Sequence, residues 1–189
     1  MKKLIAVLAF AGLSLSGFAQ DATPTEKYSV STNSFWSNWF VQAGIDWNAW
    51  YSNEEHGQNF STSPFKKFRS NPGVSVAIGK WFTPGIGLRT KLQGIWGKQV
   101  YDMATGEQGK FNKYWLLNEH VMFNVSNLLY GYNENRVWNV IPFIGGGIGR
   151  TMTHNLYSMD LSAGVQSSWK VAEKLNVYLE AGWNRIEHD

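Results

Sequence analysis

From Trp39 onward, hydrophobic positions recur at every second residue, which is the period of a β-strand and not of a helix. Trp39, Val41, Ala43, Ile45, Trp47, Ala49 and Tyr51 share one face of the first segment. Phe40, Gln42, Gly44, Asp46, Asn48 and Trp50 share the other. The pattern returns with Val74, Val76 and Ile78 set against Gly73, Ser75, Ala77 and Gly79, and again from Ile86 to Trp96. A fourth segment runs from Phe111 to Val125, and a fifth from Val137 to Gly149, where Ile141 to Ile144 are apolar on both faces. The sixth spans Tyr157 to Lys170 and the seventh Leu175 to Arg185. Tight links at Thr83-Pro84-Gly85 and Val171 to Lys174 alternate with polar loops at Ser52 to Asn71, Tyr101 to Lys110 and Arg150 to Leu156; Ser126 to Arg136 reads as another loop. Connections this short join neighbouring antiparallel strands.

The chemistry of the two faces decides which one meets solvent. The apolar face is bulky and aromatic, while the other holds Gly44, Ser75, Ala77, Gly79, Gly87, Ser162, Gly164 and Gly182. A water-exposed sheet face is normally rich in Lys and Glu, and this one is not. Small and polar residues suit the inside of a narrow barrel, and a bulky apolar exterior suits lipid. Trp39, Trp47, Trp96, Trp115, Trp169 and Trp183 all fall on the apolar face, several near strand ends, as interfacial girdles require. The expected fold is therefore all-β: an antiparallel up-and-down transmembrane β-barrel. A soluble ligand-binding barrel is the weaker alternative. Glu119 breaks the pattern by falling among lipid-facing positions; a local bulge, an interfacial depth or contact with another chain would each accommodate it.

The N-terminus follows a different grammar. Lys2 and Lys3 precede an uncharged apolar run from Leu4 to Phe18, with Gly17 and Ala19 at the positions a signal peptidase reads. Residues 1–19 are expected to be an export signal cleaved after Ala19, and residues 20–37 a periplasmic N-terminal segment. Residues 38–189 form the barrel domain. The chain has no cysteine, which excludes disulfides, thiolate metal sites and lipidation of a new N-terminal Cys.

Charge adds little beyond this. The sequence of 189 residues carries a formal net charge of +3. Setting Lys2 and Lys3 aside leaves 15 basic residues against 14 acidic ones, a net charge of +1. No basic, aromatic-interleaved patch suggests a nucleic-acid partner. The inward face is expected to carry Asp46, Arg89, Lys91, His120, Asp160 and Glu180. An eight-stranded barrel has an interior just wide enough for side chains to fill, so these are read as a structural polar network that plugs the lumen. A conduit or catalytic cluster is the competing reading. His56, His120, His154 and His188 are scattered, with no metal-ligand spacing, and Gly145-Gly146-Gly147-Ile148-Gly149 lacks the Lys-Ser/Thr that would make it a phosphate loop. The glycines read instead as a thin wall beside large neighbours. No cofactor, metal or catalytic residue is expected.

The run from Asn124 to Pro142, with Asn135-Arg136-Val137-Trp138-Asn139 at its centre, resembles the N-terminal barrel of OmpA-type outer-membrane proteins of the Bacteroidetes. The Trp- and Asn-rich opening from Trp36 to Tyr51 is similar to it as well. The resemblance implies an eight-stranded barrel in the outer membrane, followed by a linker and a periplasmic peptidoglycan-binding domain. It implies a role in tying the outer membrane to the cell wall, with weak porin activity in some members. No peptidoglycan-binding segment is present in these residues, so peptidoglycan could be engaged only through a further domain.

The expected function is thus non-enzymatic: outer-membrane integrity and surface interactions. Outer-membrane lipid and lipopolysaccharide are the expected surroundings, and envelope proteins the expected partners of the extracellular loops, above all Ser52 to Asn71. A narrow porin for small solutes is the alternative; a membrane-embedded lipid-modifying enzyme using His120 and a loop serine is the third reading. Seven strands are counted where closed bacterial barrels use even numbers, so the closing strand is expected to be missing from this sequence.

Overall fold

The computed structural model describes residues 2–16, 35–52, 71–97, 101–102, 107–108, 112–152 and 155–188. They are nearly all β. The strands are β1 (Lys2–Ser16), β2 (Trp39–Ser52), β3 (Asn71–Trp81), β4 (Ile86–Gly97), the two-residue pair β5 (Tyr101–Asp102) and β6 (Glu107–Gln108), β7 (Asn112–Phe123), β8 (Trp138–Thr151), β9 (Tyr157–Ala172) and β10 (Leu175–His188). The seven long strands from β2 to β10 form one curled antiparallel sheet, and β1 pairs with both of its edges to complete the ring β1-β10-β9-β8-β7-β4-β3-β2. Lys2–Ser16, whose sequence reads as an export signal, thus holds the closing position. Residues 17–19 of the expected export signal and 20–34 of the expected periplasmic segment lie outside the described residues, as do residues 53–70.

The period-2 pattern becomes the two walls of the barrel. Val41, Ala43, Ile45 and Trp47 of β2 are exposed, Val41 and Ile45 at 50% and 55%, while Gln42, Asp46 and Asn48 are buried inside. Ala49 and Tyr51, at the outward parity near the end of the strand, are buried as well. Val74, Val76 and Ile78 on β3, Leu88 and Leu92 on β4, and Leu161 and Val165 on β9 continue the exposed apolar band. An exposed hydrophobic surface this continuous is unstable in water and suited to hydrocarbon. No helix among the described residues is long and apolar enough to cross a membrane.

Tight connections at 82–85 and 173–174 mark one rim, and the strand ends that flank the long loops, at Ser52, Asn71, Gly97 and Asn112, mark the other. Trp39 and Trp169 stand near the short-turn rim, joined there by Trp36 and Trp138. Trp47, Trp96 and Trp115 stand toward the long-loop rim, with Trp183 lower on β10; Trp115 meets Tyr157 edge-on at 6.4 Å. The distance from Trp39 to Trp47 along the tilted strand corresponds to about 20 Å of membrane depth.

The short-turn rim holds a small helix where the alternation predicts strand and then loop. Strand β7 ends at Phe123, and α1 (Val125–Tyr130) follows. Asn124 caps it: its side chain accepts from the Asn127 N–H at 3.0 Å, and its own N–H donates to the Gly85 carbonyl at 2.8 Å. Asn127 Nδ2 donates to the Pro84 carbonyl at 2.8 Å, and Arg136 Nη1 donates to Asn127 Oδ1 at 2.6 Å. The Asn-rich stretch therefore works as a clasp binding α1, the β3–β4 turn and the start of β8. Asn124 is a helix cap, not the strand residue that period 2 suggests. The β5–β6 pair lies within the connection that reads as a plain polar loop.

Glu119 faces outward and is exposed. The β4–β7 and β7–β8 registers run through it opposite Thr90 and Gly146 without interruption, so no bulge turns it inward. Thr90 Oγ1 donates to its carboxylate at 2.5 Å, which supplies one partner for a charge on the apolar wall.

Candidate functional site

The lumen is filled in three layers. Near the long-loop rim, Trp50, Ile95, Leu116 and Ile186 form an apolar plug, with Tyr114 stacked on Trp50 at 4.9 Å. Near the short-turn rim, Phe40, Met122, Ile141 and Phe143 form a second, with Trp81 against it. These residues share the inward parity of Gln93, Asn118, His120 and Asn184, so the face that reads as polar carries hydrophobic plugs at both ends. Between them lies a polar layer built around Arg89.

Arg89 is 1% exposed and reaches four other strands. Its Nη1 donates to Glu180 Oε2 on β10 at 2.7 Å, to Gln166 Oε1 on β9 at 2.9 Å and to Gln42 Oε1 on β2 at 3.1 Å. Its Nη2 lies 3.3 Å from Glu180 Oε1 and 3.0 Å from His120 Nδ1 on β7. Lys91, one stride along β4, donates to Glu180 Oε1 at 2.9 Å. Glu180 thus receives both lumen cations, and all three charges are buried. Paired and hydrogen-bonded, such charges tolerate a confined interior; unpaired, they do not. The Phe143 ring lies under the guanidinium at 4.8 Å and beside His120 at 4.7 Å.

Glycines make room for these large groups. A Cβ at Gly145 would stand 1.9 Å from the Glu119 carbonyl and 2.8 Å from the His120 ring, and one at Gly147 would meet Asn118 Oδ1 at 2.2 Å. Both glycines lie on β8 directly opposite the residues they accommodate. A Cβ at Gly164 would strike the Phe143 ring at 2.5 Å. The Gly145–Gly149 run is therefore a thinned wall.

Of the six expected lumen residues, Arg89, Lys91, His120 and Glu180 come together. Asp46 is buried on the same face but bonds to Ser75 Oγ at 3.1 Å, with its second oxygen unmatched among the described residues. Asp160 stands apart: both of its oxygens lack a hydrogen-bond partner among the described residues. The period-2 reading does not single out Gln42, Gln166, Ser75 or Ser162, although each lies at the inward parity and carries the hydrogen bonds that join the charges.

His120 Nε2 lies 2.9 Å from Ser162 Oγ, a spacing that invites comparison with a nucleophile and its base. The partner on the other ring nitrogen points elsewhere. A guanidinium has only donors, so Nδ1 must accept from Arg89, and a neutral ring then carries its proton on Nε2. That nitrogen donates to Ser162 and has no lone pair with which to take the serine proton. His56 and His154 lie outside the described residues, and no cluster of His and acidic residues with metal-binding geometry occurs among the described ones.

A cavity of about 10 Å³ in the polar layer is lined by Lys91, Gln93, Asn118, His120, Phe143, Glu180, Gly182 and Asn184. It offers room on the scale of a single water.

No family model and no solved structure matches the chain. Among curated proteins, it is similar to outer membrane protein 40 of Porphyromonas gingivalis, at 29% identity over 161 residues, covering 79% of this chain and 39% of that protein. It is also similar to outer membrane protein 41 of the same organism, at 25% identity over 199 aligned positions, covering 96% of this chain and 48% of that protein. The chain spans less than half the length of either relative. Homologues named as outer membrane proteins, together with an exterior fit for lipid, support an outer-membrane role for this β-barrel chain.

Proposed function

We propose that this chain is the barrel domain of a non-enzymatic, OmpA-type outer-membrane protein. It contributes to envelope integrity and presents its long loops to surface partners. The observation that carries this reading is the filled lumen: among the described residues, a polar layer centred on Arg89 lies between two apolar plugs. A barrel filled in this way serves as a rigid support for loops and as an anchor in lipid, with lipopolysaccharide around its outer rim. Tethering to peptidoglycan would require a further domain of the longer protein. Delivery to the outer membrane would use residues 1–19 as the export signal.

A narrow channel is the second reading, favoured by the small cavity beside Lys91 and Glu180. Planar-bilayer recording of the purified protein separates the two. The plugged barrel gives no discrete steps above the bare-lipid baseline. Reproducible single-channel openings in the unmodified protein would make it a pore.

A further inference from the structure

The connection that follows β7 is built inside out. In a link bathed in water, apolar side chains pack on the protein and polar ones face away. Here polar side chains hold α1 to the barrel. Asn124 Nδ2 donates to Asn139 Oδ1 at 3.2 Å, and Ser126 Oγ accepts from the Val140 N–H at 3.0 Å. Both contacts serve the start of β8, beyond its last pairing with β7 at Phe143. On the other side, Asn127 reaches the Pro84 carbonyl at the β3–β4 turn. The helix therefore continues the line of the wall where β7 has stopped.

The apolar side chains of the same connection are left open. Leu129, Tyr130 and Tyr132 are 70%, 79% and 63% exposed, and Val137 and Trp138 are more than half exposed as well. Leu128 touches the turn, where a Cβ added at Gly85 would stand 2.3 Å from its Cδ2, yet it too is more than half exposed. Six large apolar or aromatic residues thus lie open between positions 128 and 138. Such a patch is unfavourable in water and marks a contact with lipid or with another protein.

Its surroundings favour lipid. The barrel wall obeys the same rule, polar groups inward and apolar groups outward, and the two surfaces join. Trp138 stands opposite Trp169 in register and begins an exposed series on β8 that includes Ile144 and Ile148. Cations border the patch: Lys170 Nζ donates to the Glu134 carbonyl at 3.0 Å, and Arg136 Nη2 to the Gly131 carbonyl at 3.0 Å. Tyr and Trp beside basic side chains are what a membrane–water interface selects, with the rings at headgroup level.

We infer that α1 and the link to β8 form a membrane foot, an element lying in the phospholipid headgroup layer at the short-turn rim. Leu129, Tyr130 and Tyr132 enter that layer, and Arg136 and Lys170 face its phosphates. A helix of six residues is too short to hold its own shape in water. The bonds of Asn124, Ser126 and Asn127 set it beforehand, which lowers the ordering cost of insertion. The foot fixes how deep this side of the barrel sits.

The inference rests on the membrane reading of the barrel, and its test keeps the two apart. The chain has no cysteine, so one nitroxide label can be attached through Leu129→Cys, Tyr130→Cys, Val76→Cys or Glu173→Cys. All four positions are exposed. Val76 reports the outer wall, and Glu173 the tight turn at the same rim. The purified protein is placed in vesicles of phosphatidylethanolamine and phosphatidylglycerol. Collisions with oxygen and with a water-soluble nickel chelate are read by power-saturation electron paramagnetic resonance. The expected oxygen-to-nickel ratio at both 129 and 130 lies above that at Glu173 and below that at Val76. A ratio no higher than that at Glu173, at either label, overturns the inference, because the foot then stands in water. A ratio as high as that at Val76 overturns the headgroup placement. Shielding from both reagents overturns it too, because a second copy or another protein then covers the patch. A Val76 label open to nickel overturns the membrane reading itself.

Discussion

Glu180 and Asp160 are acids on neighbouring strands, both pointing into the lumen and both nearly inaccessible, at 1% and 5% exposure. Glu180 receives Arg89 and Lys91; Asp160 has no hydrogen-bond partner among the described residues. Burial is the same and its consequence is opposite. The difference arises on β4, which supplies both cations of the polar layer, and both are drawn to β10. Asp160 instead lies opposite Gly147 on β8 and Ile186 on β10, with Asn118 beyond the glycine. In a filled barrel, the fate of a buried charge depends on which residue stands across the lumen from it.

Four variants probe this contrast. The largest effect is expected from Glu180→Ala, which leaves two buried cations without their carboxylate. Removing one member of a buried ion pair typically costs about 3–5 kcal/mol, so urea unfolding in lipid vesicles should show a loss of that order. A loss below about 1 kcal/mol, the scale of an exposed ion pair, would mean that Glu180 is no more satisfied than Asp160. Replacing Arg89 and Glu180 together by Met removes both the pair and its desolvation cost. The double variant is expected to lose less than Glu180→Ala, because exchanging a buried pair for apolar residues is often close to neutral. A loss equal to that of Glu180→Ala would assign the stability to the hydrogen bonds with Gln42, Gln166 and His120.

Asp160→Asn should move stability the other way. Neutralising a buried carboxylate without a partner relieves desolvation, and a gain of up to about 1 kcal/mol is expected on the scale of buried polar groups in proteins. A clear destabilisation in the same unfolding measurement would reveal a partner for Asp160 and end the comparison. The smallest effect is expected at the third acid, Glu119, on the outer wall. Its Thr90 hydrogen bond survives in Glu119→Gln, and a change within about 0.5 kcal/mol is expected for a substitution away from the core. A markedly larger gain would place Glu119 deep in hydrocarbon.

What could be read from the sequence follows from the same physics. Lipid imposes one demand on every outward position, so Val41, Ile78 and Leu161 announce their face by residue type alone. The inward face has no such uniform solvent. Its membership is legible by parity, which is why Arg89 and Asp160 are both found there, but their partners are not. Pairing across the lumen depends on strand tilt and stagger, which a period of two does not encode. The apolar plugs were hidden for a related reason: Ile95, Leu116, Met122 and Ile186 occupy inward positions but resemble outward ones in chemistry. The helix α1 was hidden because alternation runs on through Val125, whereas the cap signal, Asn124 with Asn127 three residues on, is local and competes with it.

The glycines of β8 determine where this protein can change. An aliphatic residue on the outer wall can exchange for another at small cost, because lipid adapts to whatever shape it meets. Gly145 and Gly147 have no such freedom: a single added carbon would press on the backbone carbonyls of Glu119 and Leu117. Among sequences that keep this barrel, the lipid-facing wall should drift quickly and the β8 wall hardly at all. The least conspicuous residues of the chain are then its most restricted.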